Sequence, residues 1–207
     1  HRHVRLHPLP IPIPQRRFSH IHVDIVGPLP PSNGFTHLFT IIDRTSRWME
    51  AVPLVQTTAA ACAKTLISHW VSHFGVPQTL TSDRGPQFTS TVWSELCRIL
   101  NIRHRQTTAY HPEANGLVER LHRRLKDALK ARAAAANWSE EVHWVLLGLR
   151  AQPREDNGLS PAEAVYGSPL VLPSEFLKND ECSVDSIVQK FKNIDAPVFP
   201  LPRHNCS

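Results

Sequence analysis

Three acids in this chain stand in settings that could present a carboxylate to a reaction. Asp24 closes the run Phe18-Ser19-His20-Ile21-His22-Val23-Asp24. Asp83 lies in Thr81-Ser82-Asp83-Arg84-Gly85-Pro86-Gln87-Phe88, and Glu119 follows Tyr110-His111-Pro112-Glu113-Ala114-Asn115-Gly116-Leu117-Val118 after a gap of 35 residues from Asp83. Acids from separate segments can converge on a pair of divalent cations, an arrangement suited to attack on a phosphodiester. Oxygen ligands without His or Cys suit Mg²⁺ or Mn²⁺, and two such ions are the expectation here. A cation is also what clustered carboxylates need, because unneutralised they raise one another's pKa. Nothing in the sequence pairs a serine or cysteine nucleophile with an adjacent base, so no covalent protein intermediate is expected.

Rigid elements must hold those acids. Phe18 to Val26 alternates as a strand, Thr36 to Ile42 reads as a second and Trp48 to Leu54 as a third, a meander broken by Pro28, Pro30, Pro31, Asn33 and Gly34. Thr57 or Thr58 can cap a helix running to about Phe74, where Gly75-Val76-Pro77 stops it. Thr79 to Ser82 makes a short strand ending at Asp83, Thr89 or Ser90 starts a helix to Leu100, and Ile102 to Arg105 is an edge-like fifth strand. A polar loop, Gln106 to Ala114, leads to a long helix from about Asn115 to Ala134 that carries Glu119 one turn in. Helices over Trp138 to Arg150 and Pro161 to Tyr166 follow, the second with proline in its first turn. Strands followed by mixed strand and helix predict an α/β class.

Helical periodicity puts Val118, Leu121, Leu125, Ala128 and Leu129 on one side of the long helix, and Glu119, Arg123, Lys126 and Lys130 on another. Two readings fit that second stripe. It can be a solvated face with Glu–Lys/Arg pairing, or a carboxylate followed by a basic ladder for phosphates.

The chain has 207 residues, a formal net charge of +5 and a sequence pI near 9.3, which suits a polyanionic partner without requiring one. Its 41% hydrophobic and 20% charged composition fits a globular protein. No apolar run reaches the roughly 18 residues that span a bilayer, so no membrane is expected. The four cysteines, Cys62, Cys97, Cys182 and Cys206, form no CxxC pair, and a reducing intracellular setting is the expectation. Cys62 and Cys97 fall on apolar helical patterns and read as small buried hydrophobes. Residues 1–17, with Pro8, Pro10, Pro12 and Pro14 among basic neighbours, read as a proline-rich basic linker. His1, His3 and His7 there lack cysteine partners and read as solvated. The start His-Arg-His, without Met, suggests a piece processed from a polyprotein. Residues 177–207 read as an irregular connecting tail.

Over residues 18–176 the chain resembles the integrases of long-terminal-repeat retrotransposons of the Ty3/gypsy group. The resemblance is carried by His22-Val23-Asp24-Ile25-Val26-Gly27-Pro28-Leu29-Pro30, Ile42-Asp43-Arg44-Thr45-Ser46-Arg47-Trp48, Phe74-Gly75-Val76-Pro77, Thr81-Ser82-Asp83-Arg84-Gly85, Thr108-Ala109-Tyr110-His111-Pro112 and Leu159-Ser160-Pro161-Ala162-Glu163. It implies a ribonuclease-H-like mixed five-stranded sheet flanked by helices. It also implies that Asp24, Asp83 and Glu119 are the catalytic metal ligands, that Tyr110 and Asn115 approach the DNA end, and that Arg123 and Lys126 contact DNA, with Lys130 continuing their stripe. The implied reactions are trimming of element DNA ends and their joining to target DNA, a step in the nucleus, by a homodimer or larger assembly on double-stranded DNA. The helices with Trp93 and Leu96, or Trp138 to Leu149, could supply a dimer patch, unless those aromatics are buried within one copy. The family's paired-His, paired-Cys zinc module and its C-terminal barrel or chromodomain are not recognisable, so the chain reads as a catalytic core between partial linkers. A ribonuclease H, or a co-opted DNA- or protein-binding module of the same fold with little activity, are the competing readings.

Overall fold

The computed structural model describes residues 16–107, 112–132 and 137–172, apart from the side chains of 112–115 and 132. Five strands form one sheet in the order β3-β2-β1-β4-β5. They are β1 (His20–Val26), β2 (His37–Asp43), β3 (Met49–Leu54), β4 (Thr79–Ser82) and β5 (Arg103–Gln106). The first three pair antiparallel, whereas β4 joins β1 and β5 joins β4 in parallel. The switch from antiparallel to parallel has a local cause. Short turns link the meander, but a helix separates β3 from β4 and another separates β4 from β5, and only a crossover of that kind returns a chain to the same end of the sheet.

The period-2 alternation of β1 sends its residues to two cores. Ile21 and Val23, with Phe39, Ile41 and Leu80, face a layer made of α1 (Ala59–Leu66), α3 (Pro86–Thr89) and α4 (Thr91–Ile99). Trp70 and Trp93 are completely buried in that layer, beside Cys62 and Cys97. On the opposite face Val26, Leu38, Ile42, Met49 and Ala51 meet α5 (Pro112–Arg132) and α6 (Trp138–Ala151). Val118, Leu125 and Leu129 are the buried stripe of α5, as periodicity expects. The result is a sheet between two helical layers, the ribonuclease-H-like architecture. Truncating Trp93 to Ala would cost about 3–5 kcal/mol by cavity formation.

Several boundaries differ from expectation. The helix after Thr58 is interrupted by a π-helical turn at Ile67–Val71 before the short α2 (Ser72–Phe74). Thr58 does cap it, accepting from the Ala61 amide. The four-residue α3 was not expected; Pro86 at its start fits a first helical turn, since the missing amide would be unpaired there anyway. The long helix begins at Pro112, so Glu119 lies two turns in rather than one. Trp93 and Trp138 are buried inside the chain and cannot form a dimer patch, while Trp144 on α6 is 50% exposed. Among the described residues, no helix is long and apolar enough to cross a membrane. Residues 1–15 of the N-terminal linker with their histidines, the tail and Tyr110 lie outside the described residues.

Candidate active site

Asp24 is the fifth residue of β1, and Asp83 directly follows β4. The parallel register pairs His22 with Thr81, so two residues further along Asp24 and Asp83 come level at the same end of adjacent strands. The two acids interact. Burial, with a smaller contribution from the charge of Asp83, pushes the Asp24 carboxyl up to about 6 against the opposing pull of the Ile25 amide and of Lys126. Asp24 Oδ1 accepts from the Ile25 amide at 2.7 Å. Asp83 Oδ1 accepts from the Gly85 amide at 3.0 Å, a tight turn in which a Cβ on Gly85 would lie 2.4 Å from Gln87 Nε2 and 3.1 Å from that same carboxylate oxygen. Glycine at 85 therefore keeps the turn after β4 close to the Asp83 carboxylate.

A histidine that the sequence reading passed over completes the setting of Asp24. His122, buried on α5, puts Nδ1 at 3.3 Å from Asp24 Oδ2 and Nε2 at 2.8 Å from Thr40 Oγ1 on β2. Thr40 Oγ1 in turn donates to the Asp24 carbonyl at 3.2 Å. Burial, followed by Lys126, depresses the His122 pKa to about 4, so the ring is neutral at pH 7 and its contact with Asp24 is not an ion pair. The available sequence signal was spacing. His122 is three residues beyond Glu119, one helical turn along a neighbouring stripe that turns toward the sheet.

Glu119, Arg123, Lys126 and Lys130 are all exposed on α5, and Lys126 is near enough to stabilise the Asp24 charge. The basic stripe thus runs past the Asp24 end of the sheet. Glu119 is not gathered with the two aspartates, and among the described residues no group of three His, Cys, Asp or Glu is assembled to hold a metal ion. Asn115 lies in the first turn of α5, its side chain outside the described set. As a donor set, Asp24 and Asp83 fit a hard divalent cation: both are carboxylates, and burial followed by the charge of Asp83 holds the Asp24 carboxyl above its ordinary range.

Asp43, the other strand-end acid, has a different setting. It is fully buried, accepts from Ser46 N and Oγ at 2.8 and 2.7 Å and from Phe18 N at 3.0 Å, and ties the turn between β2 and β3 together. The Ile42-to-Trp48 motif is therefore a folding device in this chain. Leu159-to-Glu163 is another: Ser160 and Glu163 form a reciprocal capping box at the start of α7 (Pro161–Tyr166).

Residues 14–112 match the protein family described as Integrase core domain. The chain is 35% identical over 158 residues to the Gag-Pol polyprotein of Avian reticuloendotheliosis virus and 34% identical over 158 residues to that of Feline leukemia virus. Each match takes in 75% of this chain but spans only 14% and 9% of those polyproteins. Among solved structures, the catalytic core domain of BIV integrase superposes with a TM-score of 0.59 at 25% identity, covering 71% of this chain and 93% of that one. A simian T-cell lymphotropic virus intasome, solved with the PP2A regulatory subunit B56 gamma, gives a TM-score of 0.67 at 22% identity over 82% of this chain and 63% of that one, a likeness of fold.

Proposed function

We propose that this chain is the catalytic core of a retroviral-type integrase, a polynucleotidyl transferase that trims element DNA ends and joins them to target DNA. The observation that carries the reading is the levelling of Asp24 and Asp83 at one end of two adjacent parallel strands, electrostatically coupled, inside a fold shared with integrase cores. Integrase cores work with divalent metal, and Asp24, Asp83 and Glu119 are the residues that would hold Mg²⁺ or Mn²⁺ here. Bound metal would supply an activated attacking oxygen and stabilise the leaving 3′-oxygen. The chain's own residues supply the rest. His122, hydrogen-bonded to Thr40, lies against the Asp24 carboxylate, and Lys126, Arg123 and Lys130 neutralise phosphates of the duplex. Tyr110 and Asn115 position the DNA end.

In this reading the core occupies residues 18–176, flanked by a linker at 1–17 and a connecting tail at 177–207. It works on double-stranded DNA as a homodimer or larger assembly, in the cell and ultimately in the nucleus. The intasome relative supports assembly, and the motifs from His22 to Glu163 support a Ty3/gypsy-type element, although the polyprotein relatives are viral. One observation favours a co-opted binding module with little activity: among the described residues no group of three His, Cys, Asp or Glu is assembled to hold a metal ion. Strand transfer of a labelled DNA end into plasmid in the presence of Mn²⁺ decides between them. Joined product that disappears with Asp83→Asn supports the integrase. Duplex binding without product supports the module, and cleavage confined to RNA–DNA hybrids supports a ribonuclease H.

A further inference from the structure

A groove of about 210 Å³ opens between α5, the C-terminal end of α6 and the segment that follows it. Its floor is apolar, with Met49, Leu121 and Leu149, but five arginines line it against two acids. On α5 its lining residues Arg120 and Arg124 lie roughly 100° and 140° around the axis from Glu119, so the groove faces away from the stripe beside Asp24.

Most of the charge is already matched. Arg124 pairs with Glu155 at 3.3 Å, and Arg154 pairs with Asp156 while donating to the Thr45 carbonyl. Arg150 is held by Glu50 at 2.8 Å, by the Met49 carbonyl and by the face of Trp48, 4.3 Å from its ring centre. Arg47 and Arg120 remain. Among the described residues neither has a carboxylate within ion-pair distance. Arg47 donates to the Arg44 carbonyl, and burial, then repulsion from Arg154, draws its pKa down to about 10. Arg47 is thus kept in a concave site against burial and like charge, with Asp156 and Asp43 favouring its charge from a distance, while Arg120 is exposed.

We propose that this groove is an anion site for a phosphate group, taken between the guanidinium forks of Arg47 and Arg120. A tetrahedral phosphate offers enough acceptor oxygens to serve two forks at once, whereas one carboxylate serves one. The volume admits a phosphate or pyrophosphate but is below the roughly 300–1,000 Å³ of sites that enclose a whole nucleotide or cofactor. Whatever carries the phosphate must extend out of the groove. The carrier is either a free oligophosphate or the phosphorylated end of a nucleic acid. The site stands whether or not Asp24 and Asp83 perform chemistry, since it uses the other side of α5.

The test is pyrophosphate binding to the full chain by calorimetry, with the shift in melting temperature alongside, at constant ionic strength. Wild type should bind and be stabilised. Arg120→Gln, an exposed position that leaves the fold intact, should weaken binding about 10-fold, and Arg47→Gln with Arg120→Gln should abolish it. Lys126→Ala should leave it unchanged. In the Lys126→Ala background, a 5′-phosphorylated duplex that displaces pyrophosphate when its unphosphorylated counterpart does not would identify a nucleic-acid end; no displacement by either would identify a free oligophosphate. Pyrophosphate binding equal in wild type and Arg120→Gln overturns the proposal, as does binding lost with Lys126→Ala or absent from wild type.

Discussion

Asp24 and Asp83 belong to the sheet, whereas Glu119 belongs to a helix, and the difference in how they are held is large. The aspartates are placed by strand register, by amide hydrogen bonds to Ile25 and Gly85, and for Asp24 by a buried histidine. Glu119 is exposed and rides on α5, whose position depends on Val118, Leu125 and Leu129 packing under it. A strand ladder fixes a carboxylate to within a bond's rotation. A helix packed by its opposite face can shift or roll while keeping its core. Two-thirds of the proposed site is thus preformed, and the last third is where DNA or metal would act on geometry.

The largest effect should come from striking either side of this divide. Asp24→Asn, Asp83→Asn and Glu119→Gln should each reduce strand transfer by about 10³-fold or more. They should separate in stability. The Asp24 carboxyl is raised to about 6 in the folded chain, above its unfolded value, so its ionisation costs stability as pH climbs through that window. Without metal, Asp24→Asn should melt at or above the wild-type temperature at pH 7.5, and the gap should close toward pH 4. Glu119→Gln, at an exposed position, should melt like wild type at pH 7.5. A drop in melting temperature for Asp24→Asn at pH 7.5 would show that the carboxylate is structural.

His122→Ala comes next. It removes the link between α5 and Asp24, and loss of such an orienting contact costs about 10–100-fold in metal affinity or activity. The Mn²⁺ concentration for half-maximal activity should rise, which a purely folding defect would not produce in the fraction that remains native. Unchanged Mn²⁺ dependence would leave His122 as a packing residue.

The pH dependence of stability is a milder effect on the same face of β1. Burial, then Arg44, depresses His20 to about 4 and His22 to about 3. Their folded values lie below the unfolded one, so the unfolded chain binds more protons and stability is lost as pH falls from about 6.5. Each ring contributes roughly 1.4 kcal/mol per pH unit in that window. Urea midpoints at pH 7.5 and 5 should fall accordingly in wild type and less in His20→Gln.

The smallest predicted effect concerns the exposed stripe. Lys126→Ala should weaken duplex binding alike for many sequences and flatten its salt dependence by about one unit of slope. Arg16→Ala is the control. If Arg16→Ala lowers both quantities and Lys126→Ala neither, the stripe is a solvated face.

Most elements were legible because the apolar residues repeat with clear periods. Phe39, Ile41 and Leu80 alternate, and Val118, Leu125 and Leu129 recur at helical spacing. The caps at Thr58 and Ser90 were legible for the same local reason, a side-chain oxygen just before a helical run. Less accessible was anything that depends on two distant segments. His122 reads as one more polar residue on α5 until β2 brings Thr40 to 2.8 Å. Asp43 and Asp24 look alike in sequence, both acids in β-strand runs. Only the turn's Ser46 and Phe18 amides distinguish the buried structural acid from the one beside Asp83. Trp93 and Trp138 illustrate the same limit, since amphipathic pattern does not say whether a helix covers a sheet or another copy.

One of the two edge strands, β5, is four residues long, and Arg103, Arg105 and Gln106 along it are exposed. Among the described residues no further strand pairs with its free side. Such an edge could template the addition of a foreign strand, but bringing two copies together there would set guanidinium against guanidinium. Strand addition between copies at this edge is discouraged. Replacing Arg103 and Arg105 with valine should turn a well-behaved protein into one that precipitates on standing.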